Sequence, residues 1–264
     1  MIYIILPVHN RKVTTEKFIK SLVAQTYKEF KLILVDDGST DGTDKMVLSY
    51  IPDGIILKGD GNLWWAGGLQ KGYEWLMANA KNEDLCLLIN DDTVFDENFL
   101  NIATKIFSNK NDTLLLAQCY SQKDLNLLLD DGVHFDFRSL TFIGAKSKEE
   151  INCLSTRGLF LKVKDFKVIG GFFPKILPHY LSDYEFTIRA FNKGFKLMTD
   201  ETLKLYVDQE TTGLHTINYN GIRDYYSKYF SNRNPSNPFH WLVFIYFTVP
   251  YPFKIYHIVR ILYS

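Results

Sequence analysis

Residues 85–93, Leu-Cys-Leu-Leu-Ile-Asn-Asp-Asp-Thr, decide the fold because five apolar residues run directly into three polar ones. The apolar part shows no alternation, which is typical of a short strand buried on both faces. In an open parallel α/β sheet, ligands bind just beyond the carboxyl ends of the strands, where Asn90, Asp91 and Asp92 would lie. Two adjacent carboxylates repel each other, and a hard cation such as Mg²⁺ offsets that charge. A solvated turn before the next helix is the alternative.

The composition is that of an ordinary globular chain, with 46% hydrophobic and 23% charged residues among 264. Lys+Arg and Asp+Glu both number 30, so no net field attracts nucleic acid. Cys86, Cys119 and Cys153 are odd in number and widely spaced, which argues against a disulfide framework or a zinc site. Cysteines without a disulfide pattern are typical of a reducing compartment, so we expect a cytoplasmic protein.

Strand-like and helix-like segments alternate along the chain. Apolar runs predict strands at 2–6, 31–35, 55–57, 85–89, 114–120, 157–163 and 195–198. Helical spacing predicts helices at 14–25, 44–50, 69–80, 99–107, 164–169 and 181–192. This alternation predicts a mostly parallel sheet with helices on both faces. Asp131-Gly132, with alternating apolar residues on both sides, predicts a hairpin.

Polar loops follow three of the predicted strands, at 7–10, 36–42 and 90–92, and would meet at one edge of the sheet. A carboxylate in the second loop can accept hydrogen bonds from a ribose or a base, although Asp and Gly favour turns anyway. Gly67-Gly68 before a helix permits close backbone approach to a ligand, and the helix N-terminus favours an anion. Trp64 and Trp65 suit the wall of a sugar or base pocket, with helix packing as the alternative.

Candidate residues also occur later in the chain. Asp183 and Glu185 are two residues apart, so on a helix they point in different directions and at most one faces a given substrate. The aromatic loop at 171–174 (Gly-Phe-Phe-Pro) suits the cover of an acceptor. His215 is a candidate ligand only in combination with Asp92, because an isolated histidine is more often a surface or core residue.

In this order, the motifs resemble the inverting glycosyltransferases of family 2, which have the GT-A fold. The resemblance covers residues 1–215 and implies an α/β catalytic domain with a Rossmann-like, mostly parallel sheet. It implies a nucleotide-sugar-binding half at 1–93 and an acceptor-binding half at 94–215. A C-terminal helical, amphipathic segment follows at 216–264.

The resemblance implies a nucleotide-diphosphate-sugar donor, Mg²⁺ or Mn²⁺, and a glycan or lipid-linked glycan acceptor in bacterial surface polysaccharide synthesis. It implies that Asp183 is the catalytic base, with Glu185 in reserve, and that Asp92 and His215 bind the metal. The residues that it places at the donor are Pro7, His9, Asn10, Asp36, Asp37, Asn62, Trp65, Gly67, Gly68, Asn90 and Asp91. The residues that it places at the acceptor are Gly171, Phe172 and Phe173.

Two departures from the family pattern leave alternatives open. Asn90 cannot be a charged metal ligand and fits a ribose contact, and Ser182-Asp183 replaces a Glu-Asp pair, so Asp183 and Glu185 both stay candidates for the base. The Trp-Ala-Gly-Gly pattern is similar to rhamnosyl- and galactofuranosyltransferases and points to dTDP-rhamnose. The alternative functions are a non-catalytic nucleotide-sugar-binding or scaffold protein, or a sugar-nucleotide pyrophosphorylase. The pyrophosphorylase lacks support because no Gly-rich signature with Arg and Lys follows the first strand.

The aromatic C-terminus has two interpretations. The apolar run at 241–253 is too short to span a bilayer, and Pro250 and Pro252 interrupt it. Beyond it, apolar residues alternate with basic ones such as Lys254 and Arg260, which predicts a segment lying on the inner face of the cell membrane. A helix docked on the catalytic domain or on a second copy in a homo-oligomer is the alternative.

Overall fold

The structure is a computed structural model that describes residues 1–208, 230–232 and 234–263. Its helices are α1 Lys12–Val23, α2 Thr43–Tyr50, α3 Trp64–Asn79, α4 Phe99–Phe107, α5 Val163–Ile169, α6 Ser182–Asn192, α7 Pro238–Thr248 and α8 Phe253–Leu262. Its strands are β1 Ile2–Val8, β2 Phe30–Asp36, β3 Ile55–Lys58, β4 Leu85–Leu88, β5 Thr93–Val94, β6 Thr113–Ser121, β7 Leu128–Asp130, β8 Val133–Asp136, β9 Thr141–Gly144, β10 Leu159–Lys162 and β11 Lys196–Val207. A 3₁₀ turn occupies Lys148–Glu150.

The main sheet has the strand order β3-β2-β1-β4-β10-β6-β11-β5, and β7 pairs with β6. β1, β2, β3 and β4 run parallel, as do β6 and β11, whereas β10 is antiparallel to both β4 and β6. β6 and β11 therefore point in the same direction as β1–β4. This confirms the predicted mostly parallel α/β sheet. Both predicted halves of the catalytic domain contribute strands to it, and their boundary stays a prediction.

Helices cover both faces of the sheet. Apolar side chains of α1, α2 and α4 pack on one face, and those of α3, α5 and α6 pack on the other. β4 is buried along its whole length because it lies at the centre between these layers. The carboxyl ends of β1, β2 and β4 meet at one edge, which we call the carboxyl edge.

Two glycines at the start of α3 allow close packing, and the approach of a ligand to Gly67 and Gly68 stays a prediction. A Cβ on Gly68 would lie 2.8 Å from the Pro7 side chain, and a Cβ on Gly67 would lie 3.2 Å from that of Leu63. Both glycines are buried. Their missing side chains let α3 lie close to the end of β1.

Two predicted elements differ in the structure. α3 begins at Trp64, five residues before the predicted start at 69, because its first N–H groups find an acceptor outside the helix. The turn at Asp131-Gly132 does not join a hairpin. β7 pairs with β6, and β8 pairs with β9 in a separate two-stranded sheet. Gly132, with a φ of +89°, lets the chain leave the main sheet at this point.

A third layer consists of the β8–β9 hairpin, α7 and α8, packed against one side of α6. His257 on α8 is fully buried, and its Nε2 donates to the Phe137 carbonyl at 3.0 Å. The predicted C-terminal helical segment is therefore docked on the catalytic domain over its described part. Across the described residues, none of the helices combines the length and the apolar character that crossing a bilayer requires.

Candidate active site

Asp36 at the end of β2 is fully buried, and both of its carboxylate oxygens already accept hydrogen bonds. Ser39 N donates to Oδ1 at 3.0 Å, and Lys58 Nζ lies 2.7 Å from Oδ2. Lys58 also contacts Asp44 at 2.5 Å, and bonds to the two carboxylates raise the pKa of Lys58. Asp36 thus fixes the loop after β2, and its contact with a donor stays a prediction.

Asp37 organises the loop that leads into α3. Its carboxylate accepts hydrogen bonds from Gly61 N at 2.8 Å, Leu63 N at 2.9 Å and Trp64 N at 3.3 Å. These bonds satisfy N–H groups at the start of a helix, as a capping residue would. The Asp37 carbonyl accepts a hydrogen bond from His9 Nδ1 at 2.5 Å. One aspartate therefore connects three loops of the carboxyl edge.

The first two strand-end loops are joined by further hydrogen bonds. Asn10 Oδ1 accepts from Thr40 N at 2.8 Å, and Asn10 N donates to Ser39 Oγ at 2.9 Å. Asn62 is exposed on the loop before α3, where its backbone N donates to Asp60. The predicted donor residues His9, Asn10, Asp36, Asp37 and Asn62 are thus brought together at the carboxyl edge.

The two carboxylates of the Asn-Asp-Asp motif differ in their partners, although Arg11 also lies 3.9 Å from Asp92 Oδ2. Arg11 Nε lies 2.9 and 3.0 Å from the two oxygens of Asp91, and Thr15 Oγ1 donates to Asp91 Oδ2 at 2.8 Å. Asp92 Oδ1, by contrast, is buried without a hydrogen-bond partner among the described residues. Asn90 is partly exposed at the start of the motif. The sequence placed Asp91 at the donor, but in the structure its carboxylate faces Arg11.

Burial raises the pKa of Asp92, and the charges of Arg157 and Arg11 oppose that increase. The Asp208 carboxylate acts in the same direction as burial because it adds negative charge nearby. Asp208 follows β11, and its N–H donates to the Asp92 carbonyl at 3.4 Å. An additional positive charge near Asp92 would therefore stabilise its ionised form.

Asp183 and Glu185 have different surroundings although both lie in the first turn of α6. Glu185 is 1% exposed, and Arg189 donates from Nε to its Oε1 at 2.8 Å and from Nη2 to its Oε2 at 3.0 Å. Asp183 is partly exposed, and burial raises the pKa of Asp183 to about 6. The Arg157 charge lowers that pKa and the Asp130 charge raises it. The structure thus favours Asp183 over Glu185 as a proton acceptor.

The aromatic loop after α5 is held by the same arginine. Arg189 Nη2 donates to the Gly171 carbonyl at 2.8 Å, and its guanidinium lies 4.7 Å from the centre of the Phe173 ring. Phe172 is 4% exposed and stacks on Phe186 in the core. The Phe172 ring is therefore buried under α6, and a contact between Phe172 and an acceptor stays a prediction.

The two tryptophans point to different neighbours. Trp65 Nε1 donates to Thr156 Oγ1 at 3.0 Å, so its polar atom is used within the protein. Trp64, in a left-handed backbone conformation with a φ of +57°, places its ring 5.9 Å from that of His179. His179 in turn lies 4.5 Å from the Tyr180 ring, three residues before Asp183. The Trp64, His179 and Tyr180 rings therefore form a chain that ends just before α6, the helix that carries Asp183.

Three basic residues of this site escaped the sequence analysis: Lys58, Arg11 and Arg157. Isolated basic residues are common at protein surfaces. What distinguishes these three is the nearby carboxylates, which are far from them along the sequence. His215 lies outside the described residues. The described residues contain no group of three or more His, Cys, Asp or Glu side chains arranged to hold a metal ion.

Comparison with known proteins gives a consistent result. The sequence model of the family described as glycosyl transferase family 2 matches residues 3–162. The O-antigen chain rhamnosyltransferase WbaN of Salmonella anatum is 26% identical over 156 residues, which are 56% of this chain and 47% of that protein. The GalNAc(5)-diNAcBac-PP-undecaprenol beta-1,3-glucosyltransferase of Campylobacter jejuni is 27% identical over 124 residues, 47% of this chain and 40% of that protein. The chain thus covers less than half the length of these curated relatives.

A solved structure shows the same fold. The mannosyltransferase PcManGT from Pyrobaculum calidifontis, in complex with GDP-Man and Mn²⁺, matches with a TM-score of 0.63 at 16% identity. The match covers 98% of this chain and 68% of that one. It confirms the predicted GT-A fold.

Proposed function

The chain belongs to glycosyl transferase family 2 and is a glycosyltransferase, and we propose that it transfers a sugar from a nucleotide-diphosphate donor to a glycan acceptor with inversion at the anomeric carbon. The observation that carries the proposal is a pair of aspartates with complementary properties. Asp183 has a raised pKa of about 6, and Asp92 has a buried oxygen without a partner among the described residues. The Arg157 charge acts on both aspartates.

The donor nucleotide would occupy the loops after β1, β2 and β3. His9, Asn10 and Asn62 are exposed there, and Asp37 holds the three loops together. Asn90 offers a neutral side chain for the ribose. The Trp-Ala-Gly-Gly pattern and the similarity to a rhamnosyltransferase support dTDP-rhamnose as the donor.

A divalent cation fits the open carboxylate of Asp92. Mg²⁺ is bound through one or two carboxylates together with phosphate oxygens and water, and Asp92 Oδ1 is available for such a bond. PcManGT was crystallised with Mn²⁺. Asp92 would hold the ion, with His215 as a further ligand, and the bound ion would supply Lewis-acid stabilisation of the leaving diphosphate.

In the reaction, Asp183 would accept the proton of the acceptor hydroxyl. The hydroxyl oxygen forms a bond to the anomeric carbon while the bond from that carbon to the diphosphate oxygen breaks, and its electron pair leaves with the nucleoside diphosphate. A carboxylate with a pKa near 6 is ionised at neutral pH and is still a useful base. Trp64, His179, Tyr180 and Phe173 would border the acceptor beside Asp183.

The proposal is tested with the full chain and a panel of dTDP-rhamnose, UDP-glucose, UDP-N-acetylglucosamine and GDP-mannose. We expect one donor to raise the melting temperature in Mn²⁺ and to release its nucleoside diphosphate slowly by hydrolysis. EDTA should suppress the release if Asp92 holds a catalytic ion. A chain that neither binds nor hydrolyses any of these donors would contradict the proposal, and full activity in EDTA would contradict the metal.

We further propose that the acceptor is lipid-linked and that α8 lies on an anionic bilayer. The exposed face of α8 carries apolar side chains, among them Ile255, Val259 and Leu262, which are 50%, 47% and 66% exposed. Lys254 and Arg260 flank this face, and residues 225–264 contain no Asp or Glu. Such a surface suits the headgroup region of an anionic membrane. The named acceptor of the Campylobacter jejuni relative, a PP-undecaprenol glycan, supports the same placement.

The membrane proposal predicts that Ile255→Glu/Val259→Glu loses about tenfold or more in binding to vesicles of phosphatidylglycerol, because two apolar contacts become charged. Val168→Glu, at an exposed apolar position on α5, is the matched control and should bind as the unmodified chain does. Sedimentation with the vesicles measures the effect. If the unmodified chain stays in the supernatant, the membrane proposal is wrong and α8 serves only to pack on the catalytic domain.

A further inference from the structure

Arg157 is a half-buried cation at the carboxyl edge, and its Nε is shielded from solvent. Gly158 N donates to the Leu88 carbonyl at 2.9 Å, and Leu159 pairs with Leu88 in the antiparallel register of β10 and β4. Arg157 lies two residues before β10, and continuing this register places it opposite Asn90. Arg157 therefore lies in the turn that leads into β10, beside the Asn-Asp-Asp motif.

The backbone beside Arg157 is fixed. Gly158 has a φ of +91°, and a Cβ there would lie 2.3 Å from the Leu205 side chain. Its carbonyl accepts a hydrogen bond from Ala117 N at 3.0 Å. Because Gly158 is held on both sides, the turn that carries Arg157 is fixed where it enters β10.

The Arg157 guanidinium has no close carboxylate partner among the described residues. Arg157 Nε is buried without a hydrogen-bond partner, and within the part of the chain described by the structure no carboxylate oxygen lies within salt-bridge distance of Arg157. Arg11 and Arg189, in contrast, each pair with a carboxylate at less than 3 Å. A guanidinium nitrogen that is buried without a partner carries a desolvation cost, and an anion bound beside it would offset that cost.

From this geometry we propose that Arg157 binds the diphosphate of the nucleotide sugar and stabilises the charge that the leaving group gains. This inference rests on the proposed function and adds a phosphate-binding residue to it. The planar guanidinium offers several N–H donors that match phosphate oxygens. Since Asp91 is bonded to Arg11, the motif itself has a single open carboxylate, and Arg157 supplies positive charge from the opposite strand.

The test compares nucleoside diphosphates with their monophosphates by isothermal titration calorimetry, without metal and with Mn²⁺. The probes are UDP, dTDP and GDP together with UMP, dTMP and GMP. Without metal, we expect the unmodified chain to prefer one diphosphate over its monophosphate, and Arg157→Gln to lose about 10- to 100-fold of that diphosphate affinity. Monophosphate affinity should stay within about twofold. Arg157→Lys keeps the charge but not the planar donors, so it should show an intermediate loss.

Lys105→Gln, which removes an exposed positive charge on α4, is the matched control and should bind like the unmodified chain. An unchanged diphosphate preference in Arg157→Gln would overturn the inference while leaving the proposed function intact. If Arg157→Gln fails to fold, the intermediate loss in Arg157→Lys decides, and unchanged binding there overturns the inference. An unmodified chain that binds none of the six nucleotides would overturn the inference and the proposed function together.

Discussion

Asp183 and Asp165 have similarly raised pKa values, of about 6 each, but lie at opposite edges of the main sheet. Asp183 opens α6 at the carboxyl edge. Asp165 lies in the first turn of α5, which follows the end of β10 that pairs with the beginning of β4. Burial is the largest cause of the raised pKa in both cases.

The surroundings of the two aspartates differ. The charges that act on Asp183 are those of Arg157 and Asp130, at the edge that also holds Asp92. Those that act on Asp165 come from Asp112, Lys164 and Lys162, and Asp165 itself is only 2% exposed. A raised pKa alone therefore does not identify a base. It becomes informative only where a substrate can reach the carboxylate.

The largest expected effect is on the transfer rate. Asp183→Asn should reduce it by about 10²- to 10⁴-fold because the proton acceptor is lost, with donor binding little changed. Asp165→Asn, the matched change at the opposite edge, should leave the rate within about twofold. Initial rates of nucleoside diphosphate release with donor and acceptor measure both. If Asp183→Asn stays active and Glu185→Gln does not, the base is Glu185 and the comparison fails.

The second effect is on the pH dependence of kcat/KM. Since Asp183 must be ionised to accept a proton, the rate should fall about tenfold per pH unit below its pKa of about 6 and level off above it. Asp165→Asn should show the same acid limb as the unmodified chain. If the acid limb moves in Asp165→Asn, the group that controls the rate is Asp165 at the opposite edge and not Asp183.

The smallest effect is on stability, and here the two aspartates should behave alike. A folded-state pKa raised above the unfolded value means that stability falls as pH rises from about 4 to 6. Asn cannot ionise, so Asp183→Asn and Asp165→Asn should each be more stable than the unmodified chain at pH 8, by about 1–3 kcal/mol. The gain should vanish near pH 4. Urea unfolding at both pH values measures the difference in the free energy of unfolding. If Asp165→Asn is no more stable than the unmodified chain at pH 8, the ionised Asp165 carboxylate does not destabilise the fold.

Much of the fold was predictable because it depends on local patterns. The unbroken apolar run at 85–89 predicted a central buried strand, and β4 is buried at every position. The strand–helix alternation predicted the sheet and its covered faces. The hairpin at Asp131-Gly132 was wrong because a turn signal shows where the chain bends but not which strand it pairs with.

The sequence by itself determined where the polar loops would gather, since the carboxyl ends of parallel strands share one edge. It also limited the base to Asp183 or Glu185. Only the tertiary structure decided which carboxylate of each pair is more open. Arg11 holds Asp91 at 2.9 Å and lies 3.9 Å from Asp92 Oδ2, so Asp92 Oδ1 stays without a partner among the described residues, and Arg189 pairs with Glu185 and not with Asp183. The Arg11 pair joins residues 80 positions apart, and Arg189 is fixed by carbonyls about 20 positions away. The Glu185–Arg189 pair itself has the i,i+4 spacing of helix neighbours. The contacts across 80 and 20 positions depend instead on packing between elements, which no local period in the sequence encodes.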